Sequence, residues 1–519
     1  MNHEHANTLR LQDGSELSYF GSPPISAIAS YRACLDASLW REHYQPFAVM
    51  CKDSNTHDVV LVRDHIGLEP LYYCNYLGKN LIVAQSIPEI LKQLPSTPPL
   101  LESQIDMLFS ENKYYSDETL YQGIYRVEPG YIMHFKSNGS VVKKAYWELN
   151  PDGPLLEYTD TQDYVAHFSS LMDESIRNAT HNQSNIAAEF SAGLDSSAVY
   201  CAAAHREIYP KLYMHADAPT PSNYPYVKYY EEKFIEHFKL HDIQRIGADD
   251  FDPIEVFDQY AAWFSGPAPY LFFMFANPIH KAVAGGKHPI LLSGFGGDQC
   301  VSGQLPMNFV VPEMIHQGQY QQAWHELKGS NNIKKVLNLA KYAHPKLYDQ
   351  ALKLKKAKKR SKHQVPGVHP YETMYYTNVR AAECALLQGV DSHEVRMRIE
   401  YSSLVSKNMG FEYRYPLLYP KLLEFMMRVP TAYKRHDGRG RYLIREYLAQ
   451  HTPGNLFNDY RKKDGLGIVP STFNLFQDKF NQGCYHAIFQ DLPYAERIKS
   501  KYKPIELRNT IKGYMLQAG

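Results

Sequence analysis

The chain has 519 residues, of which 44% are hydrophobic and 21% charged, a composition typical of globular domains that excludes disorder throughout. Lysine plus arginine and aspartate plus glutamate each total 55, so no net charge draws the chain to nucleic acid or to an anionic membrane. The seven cysteines are scattered and form no CxxC pair, and the sequence has neither a signal-peptide-like start nor an apolar run of membrane-spanning length. It predicts a cytoplasmic protein without a disulfide scaffold, a cysteine-rich zinc site or a membrane span.

The first 150 residues are predicted to be rich in β-strands. Short runs of β-branched and aromatic residues are separated by turn residues, and Asn138 and Gly139 between two apolar runs are a hairpin signal. A short helix is predicted over 86–94. The predicted strands lie at 43–50, 59–63, 71–74, 81–84, 130–135 and 141–142.

Beyond a linker at 150–154, which is rich in proline and glycine, helices alternate with short apolar strands. This alternation is typical of an α/β layered sheet, and the chain after residue 310 is predicted to be mostly helical. Asp160 or Thr161 is predicted to cap the first helix. The predicted elements are helices over 161–178, 197–206 and 226–237 and strands over 185–190 and 212–215.

The sharpest motif is FSAGLDSS at 190–197, between an apolar strand and an alanine-rich helix. Its small residues let the backbone approach a ligand closely, and N–H groups at the positive end of a helix cradle phosphate. Asp195 adds a hard oxygen ligand for Mg²⁺. The motif is not a Walker A loop, since no Gly-Lys pair follows, and Ser191 lacks the preceding Gly-x of a nucleophile elbow. From the spacing alone, an ordinary serine-capped helix remains the alternative.

A second motif, LLSGFGGD at 291–298, is another apolar strand that ends in a glycine-rich turn and a carboxylate. Its glycines permit close approach of the backbone. Because the carboxyl ends of parallel strands meet at one edge of a sheet, where ligands bind, Asp195 and Asp298 could share one Mg²⁺ there.

The two motifs resemble the pyrophosphate loop and its partner motif in the asparagine synthetase-like amide synthetases, which are N-type ATP pyrophosphatases. Other stretches extend the resemblance over about residues 40–470. The stretches at 63–73 (RDHIGLEPLYY) and 121–130 resemble the family's glutaminase domain, and 411–418 (FEYRYPLL) resembles a stretch of its C-terminal helices. The family's last motifs are similar to residues 440–445, 461–463 and 467.

This resemblance implies an α/β protein of two domains. Residues 1–155 would form an Ntn-hydrolase-like sandwich, a degenerate glutaminase, and residues 156–519 a doubly wound parallel-sheet synthetase domain with many helices. It also implies an ATP- and Mg²⁺-dependent ligase, in which a carboxylate is adenylated, pyrophosphate leaves and an amine attacks the acyl-adenylate to form an amide.

The resemblance also assigns site residues. Lys463 matches a lysine that steadies charge in the family's site, with Lys462 as its neighbour, and Glu412 matches a glutamate of β-lactam synthetase. The alternative for Lys463 is an ordinary surface lysine, and the alternative for Glu412 is a salt bridge with Arg414. The implied metal ligands are Asp195 and Asp298, and the implied nucleotide-binding residues are Ser191, Ala192, Gly193, Leu194, Asp195, Ser196, Ser197, Ser293, Gly294, Gly296 and Gly297.

Three features depart from the family. A working glutaminase uses an N-terminal cysteine with its free α-amine as base, but here residue 2 is asparagine and the first cysteine is Cys34. We therefore expect the first domain to have lost the ammonia supply. Phe295, which cannot move a proton, stands where asparagine synthetases carry an acid and β-lactam synthetase a tyrosine. The acidic pair usual after the second strand is missing around Asn223 and Tyr224.

Relatives without the cysteine take the amine from the substrate, and three hypotheses follow. The first is a lasso-peptide macrolactam synthetase that joins an Asp or Glu side chain to the N-terminal amine, with a precursor peptide and a leader peptidase as partners. The second is a β-lactam, carbapenam or other small-molecule amide synthetase, and the third is an inactive nucleotide-binding scaffold. The basic stretch at 353–363 is predicted to be a solvated loop or helix end, and the alternative is that it binds an acidic or extended substrate.

Overall fold

The computed structural model joins an antiparallel N-terminal part to a parallel α/β part. Among the described residues, we find no helix with the length and apolar character needed to cross a membrane. The described residues are 6–76, 80–104, 117–181, 183, 185–215, 224–246, 253–266, 272–301, 307–327, 331–344, 379–388, 393–436, 439–453 and 456–457.

Two antiparallel sheets form the N-terminal part. Its elements are β1 (Asn7–Arg10), β2 (Glu16–Gly21), a 3-10 helix (Ile25–Ala27), α1 (Tyr31–Cys34), α2 (Ala37–Arg41), β3 (Phe47–Lys52), β4 (Val59–Arg63), β5 (Tyr72–Tyr76), β6 (Asn80–Ala84), α3 (Ile87–Leu91), β7 (Ile124–Arg126), β8 (Tyr131–Phe135) and β9 (Val141–Ala145). The larger sheet has the order β1-β2-β3-β4-β8-β9 and the smaller one β6-β5-β7. The predicted sandwich is confirmed, as is the hairpin between β8 and β9, where Gly139 has a φ of 86°.

The core of this sandwich follows from alternation along its strands, because successive side chains point to opposite faces. Phe20 and Leu61 of the larger sheet pack with Val83 of the smaller one. Val60, one residue from Leu61, belongs instead to a second buried cluster that includes Trp40 of α2. Both faces of the larger sheet are therefore covered, one by the second sheet and one by helices.

The second part contains a five-stranded parallel sheet among the described residues. The strands and short turns of helix in this second part of the chain, inside and outside that sheet, are β10 (Ala187–Glu189), β11 (Lys211–His215), β12 (Ile243–Ile246), β13 (Ile290–Leu292), a π-helical turn (Gly297–Val301), β14 (Glu412–Arg414), a 3-10 helix (Pro416–Leu418), β15 (Arg435–His436) and β16 (Arg439–Gly440). Its α-helices are α4 (Thr161–Thr180), α5 (Leu194–His205), α6 (Tyr224–Phe238), α7 (Pro253–Phe264), α8 (Phe272–Gly285), α9 (Met307–His316), α10 (Tyr320–Glu326), α11 (Asn332–Ala343), α12 (Val379–Leu387), α13 (His393–Met409), α14 (Pro420–Arg428), α15 (Thr431–Lys434) and α16 (Tyr442–His451).

The strand order of this sheet is β12-β11-β10-β13-β14, and every neighbouring pair is parallel. The chain runs outward from β10 through β11 to β12 and then returns to place β13 on the other side of β10. The gap between the ends of β10 and β13 is the topological switch point, where doubly wound sheets bind ligands. The predicted doubly wound parallel sheet is confirmed.

Two differences from the predictions bear on the candidate site. Helix α5 begins at Leu194, three residues before its predicted start, so Asp195 lies in its first turn. The stretch 411–418, expected among helices, contains edge strand β14, which pairs with β13 and suits its alternating tyrosines. The predicted cap of α4 is confirmed, since the Asp160 side chain accepts a hydrogen bond from the Gln162 N–H.

Helix α13 carries a buried carboxylate into the N-terminal part. Glu400 accepts hydrogen bonds from Arg126 and Tyr72, both at 2.8 Å, and lies 3.8 Å from Arg63. Burial alone raises the pKa of the Glu400 carboxyl, but the two guanidinium groups outweigh it, and the net pKa lies below its ordinary value. Removing one partner would leave a buried charge uncompensated, so this contact connects the sandwich firmly to the helices of the second part.

A second buried contact of the N-terminal part predicts how stability depends on pH. His65 donates from Nε2 to the Arg41 carbonyl (3.0 Å) beside the rings of Tyr146 and Trp147. Burial lowers the pKa of His65 to about 4. The unfolded chain, with a histidine pKa of about 6.5, therefore binds more protons between these values, and stability rises with pH there. We expect His65 to account for about 2 kcal/mol of the unfolding free energy lost between pH 7 and pH 5.

Chemical unfolding of the wild type and His65→Gln at both pH values measures this contribution. The His65→Gln variant should lose about 2 kcal/mol less than the wild type on acidification. His57→Gln, on an exposed turn, is the control and should behave as the wild type. Equal acid sensitivity of His65→Gln and the wild type would contradict the expectation.

Candidate active site

The first loop of the site lies between β10 and α5. Ser196 connects its two ends, because its hydroxyl accepts a hydrogen bond from the Ser191 N–H (3.3 Å), lies 3.2 Å from the Ser191 hydroxyl and donates to the Gly193 carbonyl (3.3 Å). Ala192 adopts a left-handed conformation, with a φ of 51°. That conformation costs an alanine roughly 1 kcal/mol, so the surrounding contacts hold the turn in shape.

This loop aims the start of α5 at the switch point. The Ser197 N–H donates to the Gly193 carbonyl (3.0 Å), and earlier N–H groups of a first turn have no carbonyl partner within a helix. The aligned peptide dipoles add partial positive charge at this end. Together these features suit a phosphate, and Asp195 stands in the same turn.

The second loop follows β13 and lies directly against the first. A Cβ atom on Gly294 would be 2.7 Å from the Ser196 nitrogen, and one on Gly297 would be 2.5 Å from the Asp195 carboxyl carbon. Gly296 has a φ of 99°, which favours glycine, and the next residues form the π-helical turn that carries Asp298. Glycine is therefore required where the backbone of one loop contacts the other.

Asp195 and Asp298 are brought together at one guanidinium. Arg441, which is 5% exposed, forms an ion pair with Asp298 and has its second terminal nitrogen 3.7 Å from Asp195. The sequence identified residues 440–445 as a motif but gave Arg441 no role. Its only sequence signal is its place in that motif, since the pairing depends on contacts between distant parts of the chain.

The two aspartates fit a magnesium ion that is bound together with a nucleotide. Mg²⁺ is usually held by one or two carboxylates plus phosphate oxygens and water. Within the described part of the chain, no group of three or more histidine, cysteine, aspartate or glutamate side chains could hold a metal by itself. A Mg²⁺ ion held by Asp195 and Asp298 would also take phosphate oxygens and water as ligands.

A buried polar network lies beneath the two loops. Glu189, the last residue of β10, accepts a hydrogen bond from Ser293 (2.6 Å) at one carboxylate oxygen and from the Tyr413 hydroxyl at the other. Arg398 of α13 lies 3.5 Å from that second oxygen. Burial raises the pKa of the Tyr413 hydroxyl well above its ordinary value, and the Glu189 charge raises it further. The tyrosine therefore keeps its proton and acts as a donor.

Phe295 occupies a mixed environment rather than a purely apolar one. Its ring lies 5.5 Å from the Arg398 guanidinium, a cation–π distance, and meets the ring of Tyr415 edge-on at 5.8 Å. Burial raises the pKa of Tyr415 to about 12, and its hydroxyl donates to Ser402 of α13. None of these rings offers a base near neutral pH.

The other predicted site residues lie elsewhere or outside the described part. Glu412 starts β14 opposite Ile290, at the far end of the sheet from the loops, and its half-exposed side chain pairs with Arg414. The contact with Arg414 is the alternative that the sequence left open. Lys462, Lys463, the basic stretch 353–363 and the residues around Asn223 lie outside the described residues, or have no described side chain.

Two family models match the chain. The model described as "Asparagine synthase" matches residues 167–498, which include both loops, and the "Glutamine amidotransferase domain" model matches residues 39–147. The first covers well over half of the chain, and the second covers most of the sandwich.

Individual relatives are distant. The chain is 25% identical over 191 residues to amidase chyE of Penicillium rubens, which covers 37% of this chain and 28% of that protein. It is 21% identical over 463 residues to asparagine synthetase [glutamine-hydrolyzing] 1 of Bacillus subtilis, which covers 81% and 67% of the respective chains. The chain thus spans about a quarter of the first relative's length.

Among solved structures, glutamine phosphoribosylpyrophosphate amidotransferase from B. subtilis covers 40% of this chain and 47% of its own, at 10% identity and a TM-score of 0.16. Because a TM-score this low carries no argument, the assignment of the chain to a family depends on the family models and the strand order. The chain belongs to the asparagine synthase family, a family of ATP-dependent amide ligases.

Proposed function

We propose that this chain adenylates a carboxylate with ATP, releases pyrophosphate and joins the acyl group to an amine. The observation that carries the proposal is the placement of Asp195 and Asp298 on two touching loops at the switch point of a parallel sheet. Family membership supports the reaction class, and the helix start beside Asp195 supports phosphate as a ligand.

Each group of the candidate site would have its own role in binding the nucleotide. The first-turn N–H groups of α5 would bind the triphosphate, and Asp195 and Asp298 would hold Mg²⁺. A bound Mg²⁺ supplies positive charge to phosphate oxygens. Arg441 lies beside both carboxylates, where its guanidinium can bind a phosphate oxygen and balance the two acids.

We further propose a lasso-type substrate, in which a peptide side-chain carboxylate is adenylated and the peptide's own N-terminal amine closes the ring. A peptide α-amine has a pKa of about 7.7–8.0, so a useful fraction is neutral near pH 7 without a strong base. A lysine amine, at about 10.4, would need one. Phe295, Tyr413 and Tyr415 supply none at that pH.

The test uses linear peptides that carry an Asp or Glu side chain and a free α-amine, including any short peptide encoded beside the gene. Mg²⁺-dependent exchange of labelled pyrophosphate into ATP should require the carboxylate, and mass spectrometry should show a product that has lost one water. An α-N-acetylated peptide should support exchange without ring closure. Exchange with small β-amino acids alone would favour the small-molecule alternative, and no exchange with any carboxylate would contradict the reaction class.

We predict that glutamine is neither hydrolysed nor used as a nitrogen donor. The described cysteines of the sandwich, Cys34, Cys51 and Cys74, are buried, and burial raises the pKa of the Cys74 thiol. A buried neutral thiol is a poor nucleophile. Glutamate release should therefore equal that of a heat-inactivated sample. Release that disappears on a cysteine-to-alanine substitution would overturn the prediction.

We also predict unequal effects for the two neighbouring lysines outside the described residues. Lys463→Ala should reduce amide formation by about 10²-fold or more, the scale of removing one preorganised charge-stabilising group. Lys462→Ala should reduce it far less. Product formation at saturating ATP measures both variants, and equal effects would mean that the motif register is shifted by one residue.

A further inference from the structure

Glu189 is a charged residue that the proposed mechanism does not use. It ends β10 directly before the first loop, and its side chain is only 17% exposed. A glutamate at the end of a buried strand needs partners, because an unpaired buried charge is strongly destabilising.

Its three partners among the described residues are all hydrogen-bond donors. Ser293 donates to one carboxylate oxygen, while the Tyr413 hydroxyl and Arg398 face the other. A carboxylate accepts only, so it satisfies all three at once, whereas an amide would present an N–H₂ group to one side. The network therefore demands an acid at this position rather than a merely polar residue.

The contact with Ser293 reaches the second loop. Because the Ser293 proton points to Glu189, its oxygen is left to accept the Phe295 N–H (3.3 Å). This pair of hydrogen bonds fixes the direction in which the chain leaves β13. The same loop contacts the first loop so closely that Gly294 has no room for a Cβ atom beside the Ser196 nitrogen.

We propose that Glu189 is a positioning residue, which holds the loop of Asp298 in register with the loop of Asp195 through Ser293. This inference rests on the proposed function, since it names the group that sets the distance between the two metal ligands. Tyr413 and Arg398 fix Glu189 in turn, so the network connects β10, β13, β14 and α13 beneath the site.

The test is a double-mutant cycle of Glu189→Gln and Ser293→Ala. Equilibrium binding of MgATP by calorimetry and Mg²⁺-dependent pyrophosphate exchange are measured for each variant, with thermal unfolding as a check on folding. Each single variant should weaken MgATP binding about tenfold, and the double variant little more than the worse single one, because both remove one interaction. Ser293→Ala is a small change that keeps the test valid if Glu189→Gln fails to fold.

Glu174→Gln is the matched control. Glu174 of α4 also accepts hydrogen bonds from a tyrosine and a cation, Tyr419 (2.8 Å) and Lys421 (2.6 Å), neither of which belongs to the two loops. The Glu174→Gln variant should have the same thermal stability as Glu189→Gln and should bind MgATP as the wild type does.

Unchanged MgATP binding in Glu189→Gln, or additive losses in the cycle, would overturn the inference. So would a changed pH profile of exchange with unchanged binding, which would indicate a chemical role. Binding without exchange in the wild type would contradict the proposed function alone, since the cycle still decides the role of Glu189.

Discussion

Replacing either Asp195 or Asp298 with asparagine is expected to reduce ATP–pyrophosphate exchange by about 10²-fold or more while the chain remains folded. Each substitution removes one of the two carboxylates on the touching loops and leaves the shape of the side chain nearly unchanged. An amide keeps an oxygen but loses the charge that holds a divalent cation. Because the lost charge would hold the Mg²⁺ that binds together with the nucleotide, MgATP binding should weaken as exchange slows.

The measurement is exchange as a function of Mg²⁺ concentration, with the two variants beside Asp173→Asn. Asp173 of α4 accepts a hydrogen bond from His205 (3.0 Å) on the protein surface and serves as an aspartate control outside the site. The loss in the two site variants should shrink, without disappearing, as Mg²⁺ is raised. Near-normal pyrophosphate exchange at limiting Mg²⁺ in either variant would mean that the substituted aspartate is not a ligand of the metal.

The ends of the strands were predictable from the sequence because each is marked locally. An apolar run, a turn of small residues and a carboxylate at a fixed distance identify Asp195 and Asp298 without any tertiary information. The parallel order of the strands then brings the two motifs to one edge. The N-terminal sandwich was likewise marked by short apolar runs between turn residues.

The contacts between distant segments were not predictable. Arg441 meets Asp195 and Asp298 across more than a hundred residues of sequence, and Glu189 meets Tyr413 across a similar separation. Periodicity shows which face of an element is buried but not which donor arrives from another element. The short edge strand β14 was missed because three residues between helices give too little pattern. An arginine and a tyrosine that look ordinary in sequence therefore become part of the site only through packing.

The closeness of the two loops leads to a further expected result, that Gly294→Ala reduces pyrophosphate exchange by about 10²-fold. A Cβ atom there would lie 2.7 Å from the Ser196 nitrogen and 2.9 Å from the Asp195 carbonyl carbon. Both are backbone atoms at the start of α5, so no side chain can turn aside to make room. The loops must separate, and a displacement of about 1 Å at a reacting centre is enough for a loss of this size.

Gly285→Ala provides the matched control, because a Cβ atom at this last residue of α8 meets nothing within 4 Å. It should leave exchange unchanged, since it adds the same methyl group to the same domain without touching either loop. The expected pattern is a large loss of exchange in Gly294→Ala with a small change in melting temperature, because the clash lies at a ligand-binding edge rather than in the core. Wild-type exchange in Gly294→Ala would mean that the loops open freely, and the close approach of Asp195 and Asp298 could not then be what binds the nucleotide.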